Sequence, residues 1–546
     1  MRWLWMALLF ACGPSGDLTM APPRDARRIT VTGIAPPRDD GRLPDLAQPR
    51  RYRLRLDIDP AAPRFRGETI IDVVLPRATR AVVMHGSELS ISRAEFVVGA
   101  DRVRADASFR KAAGAKRDAE ELVLVSAAEL PAGDVQIHIE YTAPLNESLR
   151  GVYRVREGGK TYVFTQFEPS DARRMFPCFD DPIYKVPFEV EVRVPKGNVV
   201  YSNAAETNRT AEEKSVVFAF APSKPMPTYL VALAIGPLEA REGAREPVPI
   251  RLLAVEGKSK LGEVALKTAA DHLELLSEYF GRPYPYDKLD LVAVPNFGPG
   301  AMENAGLITF REELLLLDSG TTSAKARRDL AMILSHELAH QWFGNLVTMQ
   351  WWDDLWLNEG FATYMETLIV DRWQPSMRAG LEMLSMSGWV MELDALDAAR
   401  AVRQPVSNTY QAEEAFDAIT YVKGASVLRM LHRWMGDEAF RQGVRGYMSE
   451  HAWGNARAAD LFRTLSKAAK QDVASVASTF LDQPGVPLVR ATLACQEGKR
   501  PVVKLTQQRY RARPAADDRG TSWNIPVCVA FDKGGARDDR ECTLLT

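Results

Sequence analysis

The chain has 546 residues, 46% of them hydrophobic, and at roughly 150 residues per domain that predicts three or four separate cores. Its 69 basic and 71 acidic residues leave a net charge of −2, so there is no electrostatic footprint for a nucleic-acid partner. Five cysteines in so long a chain exclude a disulfide-framework fold, and their spacing fits no zinc finger.

The first element is "MRWLWMALLFACGPSGD", in which an apolar run from Trp3 to Ala11 ends at Cys12. Such a run is too short to span a bilayer as a helix. It matches the apolar core of an export signal. "LFAC" resembles a bacterial lipobox, which implies export to the bacterial cell envelope, on its periplasmic or surface side, with a lipid anchor at Cys12. Ordinary secretion and a chance apolar start are the alternatives. Residues 1–12 are thus read as a lipoprotein-type signal. Residues 13–48, written in Pro, Arg, Asp and Gly with "APPRD" twice, are read as a flexible tether.

From residue 49 the pattern alternates. "RYRLRLDID" sets Tyr52, Leu54, Leu56 and Ile58 against charged neighbours, the period of a half-buried strand. The runs "ETIIDVVL", "VQIHIEYTA", "TYVFTQFE" and "YLVALAIG" repeat the pattern between turn residues, so residues 49–246 are expected to form an all-β domain. Helical spacing then begins: "LGEVALKTAADHLELLSEYFG" places Leu261, Val264, Ala265, Leu275, Leu276 and Tyr279 on one face, with Gly281 as its stop. Residues 247–483 are expected to be mainly helical. Strands return over 484–546, read as the start of a β-sandwich, so the chain is expected to be C-terminally incomplete. There, Cys528 and Cys542 flank the turn-rich "DKGGARDD". A hairpin centred on Gly535 would set the two cysteines opposite each other, where they either bridge or stay as thiols.

One stretch carries chemistry. In "DLAMILSHELAHQWFGN", Leu330, Leu334 and Leu338 mark the buried stripe of a helix. His336 and His340, at i and i+4, then project from one face within reach of one ion. Zinc suits imidazole nitrogen, and a catalytic zinc keeps three protein ligands and an open position. Glu337 stands beside such an ion rather than on it, where it can take a proton from a water. On this pattern alone, two helix-face histidines remain the alternative. Glu359, in "LNEGFATYMETLIV", opens a second helix that can bring a third ligand. It also reads as an ordinary acidic residue in a helix's first turn.

His-Glu-x-x-His, then Glu after 18 residues, resembles the signature of the M1 family of zinc aminopeptidases, among the gluzincins. The family's second motif is matched by "GPGAMEN", from Gly298 to Asn304. "TQFEPSDARRMFPCFDDP", "YFGRPYPYDKLDLVAVPNF" and "FDAITYVKGASVLRML" match further, in family order. The resemblance implies a multidomain α+β chain: an N-terminal all-β domain, a mainly helical thermolysin-like zinc domain, and a C-terminal β-sandwich.

It also implies roles. His336, His340 and Glu359 would hold one zinc ion. Glu337 would be the general base, and Tyr421, taken alone a core aromatic, would steady the oxyanion. Glu303 and Glu168 would bind the substrate's free amino terminus. Gly300 and Ala301 would offer main-chain groups to the peptide, Met302 and Asn304 belong to the same substrate-binding segment, and side chains around Met302 and Gln166 would shape the pocket for the first residue, whose preferred identity no motif reveals. Glu366 either accepts a hydrogen bond from a ligand histidine or faces solvent. Cys178 is read as a buried thiol. The expected partners are peptides with a free amino terminus, with membrane contact only through Cys12. No motif speaks to oligomeric state. Two rival readings are the epoxide hydrolase activity that one branch of the family adds, and a metal-free binding module. The second would have lost a ligand, the base or the tyrosine, and all are present.

Overall fold

The structure is a computed structural model, and it describes residues 34–112, 120–498, 500–511, 521–531 and 540–546. The expected signal, and the expected tether up to residue 33, lie outside the described residues. The rest of that tether packs against the body. Leu43, Leu46 and Ala47 are buried, the Leu43 N–H donates to Asp181 Oδ2 at 3.0 Å, and the Arg42 guanidinium lies over the Trp351 ring at 4.6 Å. Composition pointed to a segment with little to bury, yet a few apolar residues and one arginine suffice to order it.

The alternating runs form sheets. A ten-stranded sheet has at its middle Gln48–Asp57, Arg64–Leu75 and Gly133–Pro144. Tyr52, Leu54, Leu56 and Ile58 point inward, while Arg53 and Arg55 turn outward to Asp72 at 2.7 Å and Glu68 at 3.0 Å. The arginines are therefore a solvated strand face. A second sheet, of four strands, contains the hairpin of Gly151–Glu157 with Lys160–Gln166.

A third sheet crosses the boundary expected at residue 246. Leu238–Glu242 pairs antiparallel with Ile250–Val255, which continues in parallel to Leu289–Val294 and Leu307–Arg311. The boundary thus falls within a hairpin, because helical periodicity becomes visible only after the second strand has ended. The short strand Ala301–Met302 lies at the sheet's edge, paired with Leu307–Arg311.

Helix α1 (Glu263–Phe280) closes at Gly281, whose φ of +64° forms the left-handed stop that glycine accepts. Helix α2 (Ala324–His340) is N-capped by Ser323, whose side chain accepts from the Ala326 N–H, and it buries Leu330, Leu334 and Leu338. Helix α3 (Trp356–Trp373) is buried on nearly all sides, as expected of an apolar helix at the centre of a domain.

At the C-terminal end Pro487–Ala494 pairs with Val502–Arg509, and Ile525–Ala530 with Arg540–Leu545. Cys528 and Cys542 stand opposite each other and form a disulfide, with Cα atoms 4.0 Å apart. Cys178 is a buried free thiol.

Candidate active site

Helix α2 delivers both histidines, as their spacing requires. His336 Nε2 lies 3.3 Å from Glu359 Oε2, and His340 Nε2 lies 3.5 Å from the same oxygen. Ligand atoms around a tetrahedral zinc stand about 3.3 Å apart, so this set already has the spacing that one zinc ion asks for. The other ring nitrogens are fixed. His336 Nδ1 is 3.2 Å from Glu366 Oε2, and His340 Nδ1 is 3.1 Å from the Phe343 carbonyl. Both partners are acceptors, so they keep the ring hydrogens on Nδ1 and leave the Nε2 lone pairs facing the ion's position.

Two glycines allow the elements to close this far. Gly344 has φ +117°, and a Cβ there would stand 3.2 Å from Asn358 Nδ2 and 3.3 Å from His340 Nδ1. Gly360, next to Glu359, faces Gly424, and a Cβ there would meet the Gly424 backbone at 3.2 Å. This close approach sets α3 against the segment that carries Tyr421.

Tyr421 sits in one turn of π-helix, Ile419–Lys423, within the stretch expected to be mainly helical. Asp417 holds that turn: its Oδ1 accepts from the Ile419 N–H at 2.9 Å and the Thr420 N–H at 3.1 Å, and Arg400 Nε reaches its Oδ2 at 3.0 Å. The Tyr421 ring lies parallel to the His336 ring, with centroids 6.0 Å apart. Burial, with the charges of Glu359, Glu168 and Glu303, holds the phenol well above its usual pKa, so it remains a hydrogen-bond donor.

Glu303 lies just beyond the edge strand, and its backbone is tied to the end of α2. Its carbonyl accepts from Gln341 Nε2 at 3.0 Å and from Asn345 Nδ2 at 2.8 Å. Carboxylate oxygens of Glu168, Glu303 and Glu359 lie within 4.8 Å of one another. Glu168 Oε1, Glu303 Oε1 and Glu337 Oε2 are buried without a hydrogen-bond partner among the described residues.

Burial raises the Glu168 pKa well above the ordinary value, and the neighbouring carboxylates add to the effect. Burial lifts Glu337 to about 8 against the pull of His336 and His340. Glu359 goes the other way: burial would raise it, but the two histidines bring it down to about 2. So many buried acids around two imidazoles leave the site short of positive charge. A divalent cation among His336, His340 and Glu359 fits that deficit, and a second cation, near Glu168 and Glu303, fits the remainder.

All these groups line one cavity of about 1010 Å³, together with Gln166, Gly300, Ala301 and Met302. Met302 Sδ accepts from Gln166 Nε2 at 3.4 Å. At Gly300 a Cβ would meet only Ile333 and Leu314, at 3.4 and 3.7 Å, so packing within the chain does not itself demand glycine there. Asn304 is placed apart. It is buried behind the strand with Nδ2 on Thr309 Oγ1 at 3.2 Å, and does not line the cavity.

Several supporting residues carried no sequence signal. Gln341 and Asn345 follow the second histidine but act on a backbone carbonyl of a distant strand. Lys185 is half-buried, and its Nζ donates to the carbonyls of Asn345 at 2.8 Å, Leu346 at 2.9 Å and Gly454 at 3.1 Å.

Comparison with known proteins matches this architecture. A Peptidase M1 N-terminal domain corresponds to residues 48–230, and a Peptidase family M1 domain to residues 264–480. The chain belongs to peptidase family M1. It is 36% identical to Aminopeptidase M1-D of Oryza sativa subsp. japonica over 497 residues, 90% of this chain and 55% of that protein. It is 35% identical to the Puromycin-sensitive aminopeptidase of Caenorhabditis elegans over 500 residues, 90% of this chain and 52% of that protein. It is 36% identical to Aminopeptidase 2 of Candida albicans over 506 residues, 91% of this chain and 53% of that protein. The chain therefore spans about half the length of these relatives.

The comparison corrects one expectation. The relatives are aminopeptidases of a plant, a nematode and a yeast, and none is named as a lipoprotein. Export to a bacterial envelope with a lipid anchor at Cys12, read from a single short motif, is withdrawn. Among the described residues no helix is long and apolar enough to cross a membrane.

Proposed function

We propose that this chain is a zinc aminopeptidase that removes one residue at a time from the free amino terminus of peptides. The reading rests on one juxtaposition. A three-ligand set, His336, His340 and Glu359, shares a cavity with the carboxylates of Glu168 and Glu303, each of which has one buried oxygen without a hydrogen-bond partner among the described residues. His336, His340 and Glu359 would hold a zinc ion, which would supply polarisation of the scissile carbonyl and a more acidic water.

The protein's own groups do the rest. Glu168 and Glu303 receive the α-ammonium, which is largely cationic near neutral pH because its pKa is about 7.7–8.0. This fixes the first carbonyl beside the ligand set. Ala301 and Gly300 lie on a sheet edge along which an extended peptide can run. Glu337 takes a proton from the attacking water and passes it to the leaving amine, a task that suits a carboxylate whose pKa burial has raised. Tyr421 donates a hydrogen bond to the oxygen on which negative charge develops. An internal peptide bond brings no ammonium, and would leave Glu168 and Glu303 buried and unpaired, which is costly.

The test pairs zinc analysis with two reporters. The chain is expected to hold one zinc ion and to cleave an L-alanyl reporter but refuse its N-acetyl counterpart. Comparable cleavage of both at matched concentrations would overturn the assignment, even with zinc bound.

A further inference from the structure

Tyr421 is carried by a single turn of π-helix, a rare backbone form that persists where tertiary contacts hold it. Asp417 holds the amino-terminal end of that turn through the N–H groups of Ile419 and Thr420. The carboxyl-terminal end is Lys423, two residues after Tyr421, a lysine to which the reaction assigns no part. It is only 7% exposed. Its Nζ lies 2.8 Å from Asp394 Oδ2 and donates to the Gln483 carbonyl at 3.2 Å. Asp394 is 3% exposed, and its other oxygen, Oδ1, accepts from the Gly485 N–H at 2.8 Å.

Neither charge is placed where local structure favours it. Asp394 ends the helix Ala379–Asp394, and the negative end of a helix dipole disfavours an anion. Burial lowers the Lys423 pKa, and Asp394 offsets part of that loss. A buried ion pair is seldom the best route to stability, since apolar residues of similar volume often do as well. What the pair supplies is direction. It ties three segments together: the tyrosine turn, the end of the helix Ala379–Asp394, and Gln483 with Gly485, which lie between the helix Val473–Leu481 and the strand Pro487–Ala494. The first helix also puts Glu382 and Met386 into the cavity wall, so the tie joins Tyr421 to a second part of the same cavity.

We propose that Lys423, held by Asp394 and the Gln483 carbonyl, is a positioning residue that fixes where the Tyr421 hydroxyl stands. This rests on the aminopeptidase reading, in which Tyr421 is the oxyanion donor, and adds the groups that aim it. An oxyanion donor is effective because it is in place before charge develops. A displacement on the order of 1 Å can cost about 10²-fold in rate. Lys423 acts through Tyr421 alone, so loss of the phenol sets the ceiling on what loss of Lys423 costs. The junction that leads to the C-terminal strands thereby becomes part of the tyrosine's support.

The test is a double-mutant cycle on the zinc-loaded chain with an L-alanyl reporter. Lys423→Met and Asp394→Asn are made together, so that no buried charge is left unpaired and the Gly485 N–H keeps an acceptor. The paired change is expected to leave zinc binding intact and KM within about threefold, while kcat drops about 10- to 100-fold. Made in a Tyr421→Phe background, the same change is expected to lower kcat by less than about twofold, because the group it aims is already gone. A pair that merely braced the fold would cost the same factor in both backgrounds. Equal losses with and without the phenol hydroxyl, wild-type kcat in the paired variant, or a paired variant that no longer folds or binds zinc would each overturn the proposal. Two other results fall elsewhere. A zinc-loaded wild type that cleaves no aminoacyl reporter would overturn the aminopeptidase reading itself, and this proposal with it. Near-normal kcat in Tyr421→Phe alone would remove the donor that Lys423 is held to aim, and would overturn the proposal while leaving the aminopeptidase reading in place.

Discussion

Replacing Glu366 isolates how the ligand histidines are held. Its Oε2 lies 3.2 Å from His336 Nδ1, and its side chain is 12% exposed, so the bond is charge-assisted and largely shielded from water. Such bonds are roughly twice as strong as neutral ones. Loss of a partner that orients a metal-bound histidine typically costs 10- to 100-fold in metal affinity, about 1.4–2.7 kcal/mol. Glu366→Gln keeps an acceptor but removes the charge. Its amide can also turn its NH₂ toward Nδ1, which would move the ring hydrogen to Nε2 and block a ligand position. The expected loss is about tenfold for glutamine and nearer a hundredfold for alanine, where the ring has no partner. The assay is competition for zinc against a chromophoric chelator, starting from metal-stripped protein. Circular dichroism should verify that each variant remains folded. Wild-type zinc affinity in Glu366→Ala would refute the reasoning, and Glu366 would then be a bystander on α3.

Two further substitutions probe the surroundings. Tyr421→Phe should keep zinc and change KM little, while turnover drops about 10²–10³-fold, the usual cost of one oxyanion donor; near-normal turnover would remove the phenol from the mechanism. Lys185→Met should lower stability by about 1–2 kcal/mol, because three carbonyls lose a half-buried donor, and denaturant unfolding that matches the wild type would show that those carbonyls find other partners.

What the sequence determined by itself was local. His336 and His340 share a face because four residues make about one helical turn, whatever surrounds the helix. The arginines between Tyr52 and Ile58 face solvent because strand side chains alternate, and their burial follows that rule. The motif spacing from Glu168 to Tyr421 was legible for the same reason, since side-chain type was written directly in the chain. Tertiary structure decided the rest. It set Glu168 beside Glu303, paired Arg150 with Glu413, and turned Asn304 away to Thr309. It recruited Lys185, Gln341 and Asn345 to backbone carbonyls, which every residue carries and which no residue type reveals. It brought Cys528 to Cys542 across a strand pair, and it carried a sheet across residue 246. The physical reason is common to all of these. Contacts between segments far apart in the chain depend on how whole faces pack, and a short window of sequence holds only one side of each contact.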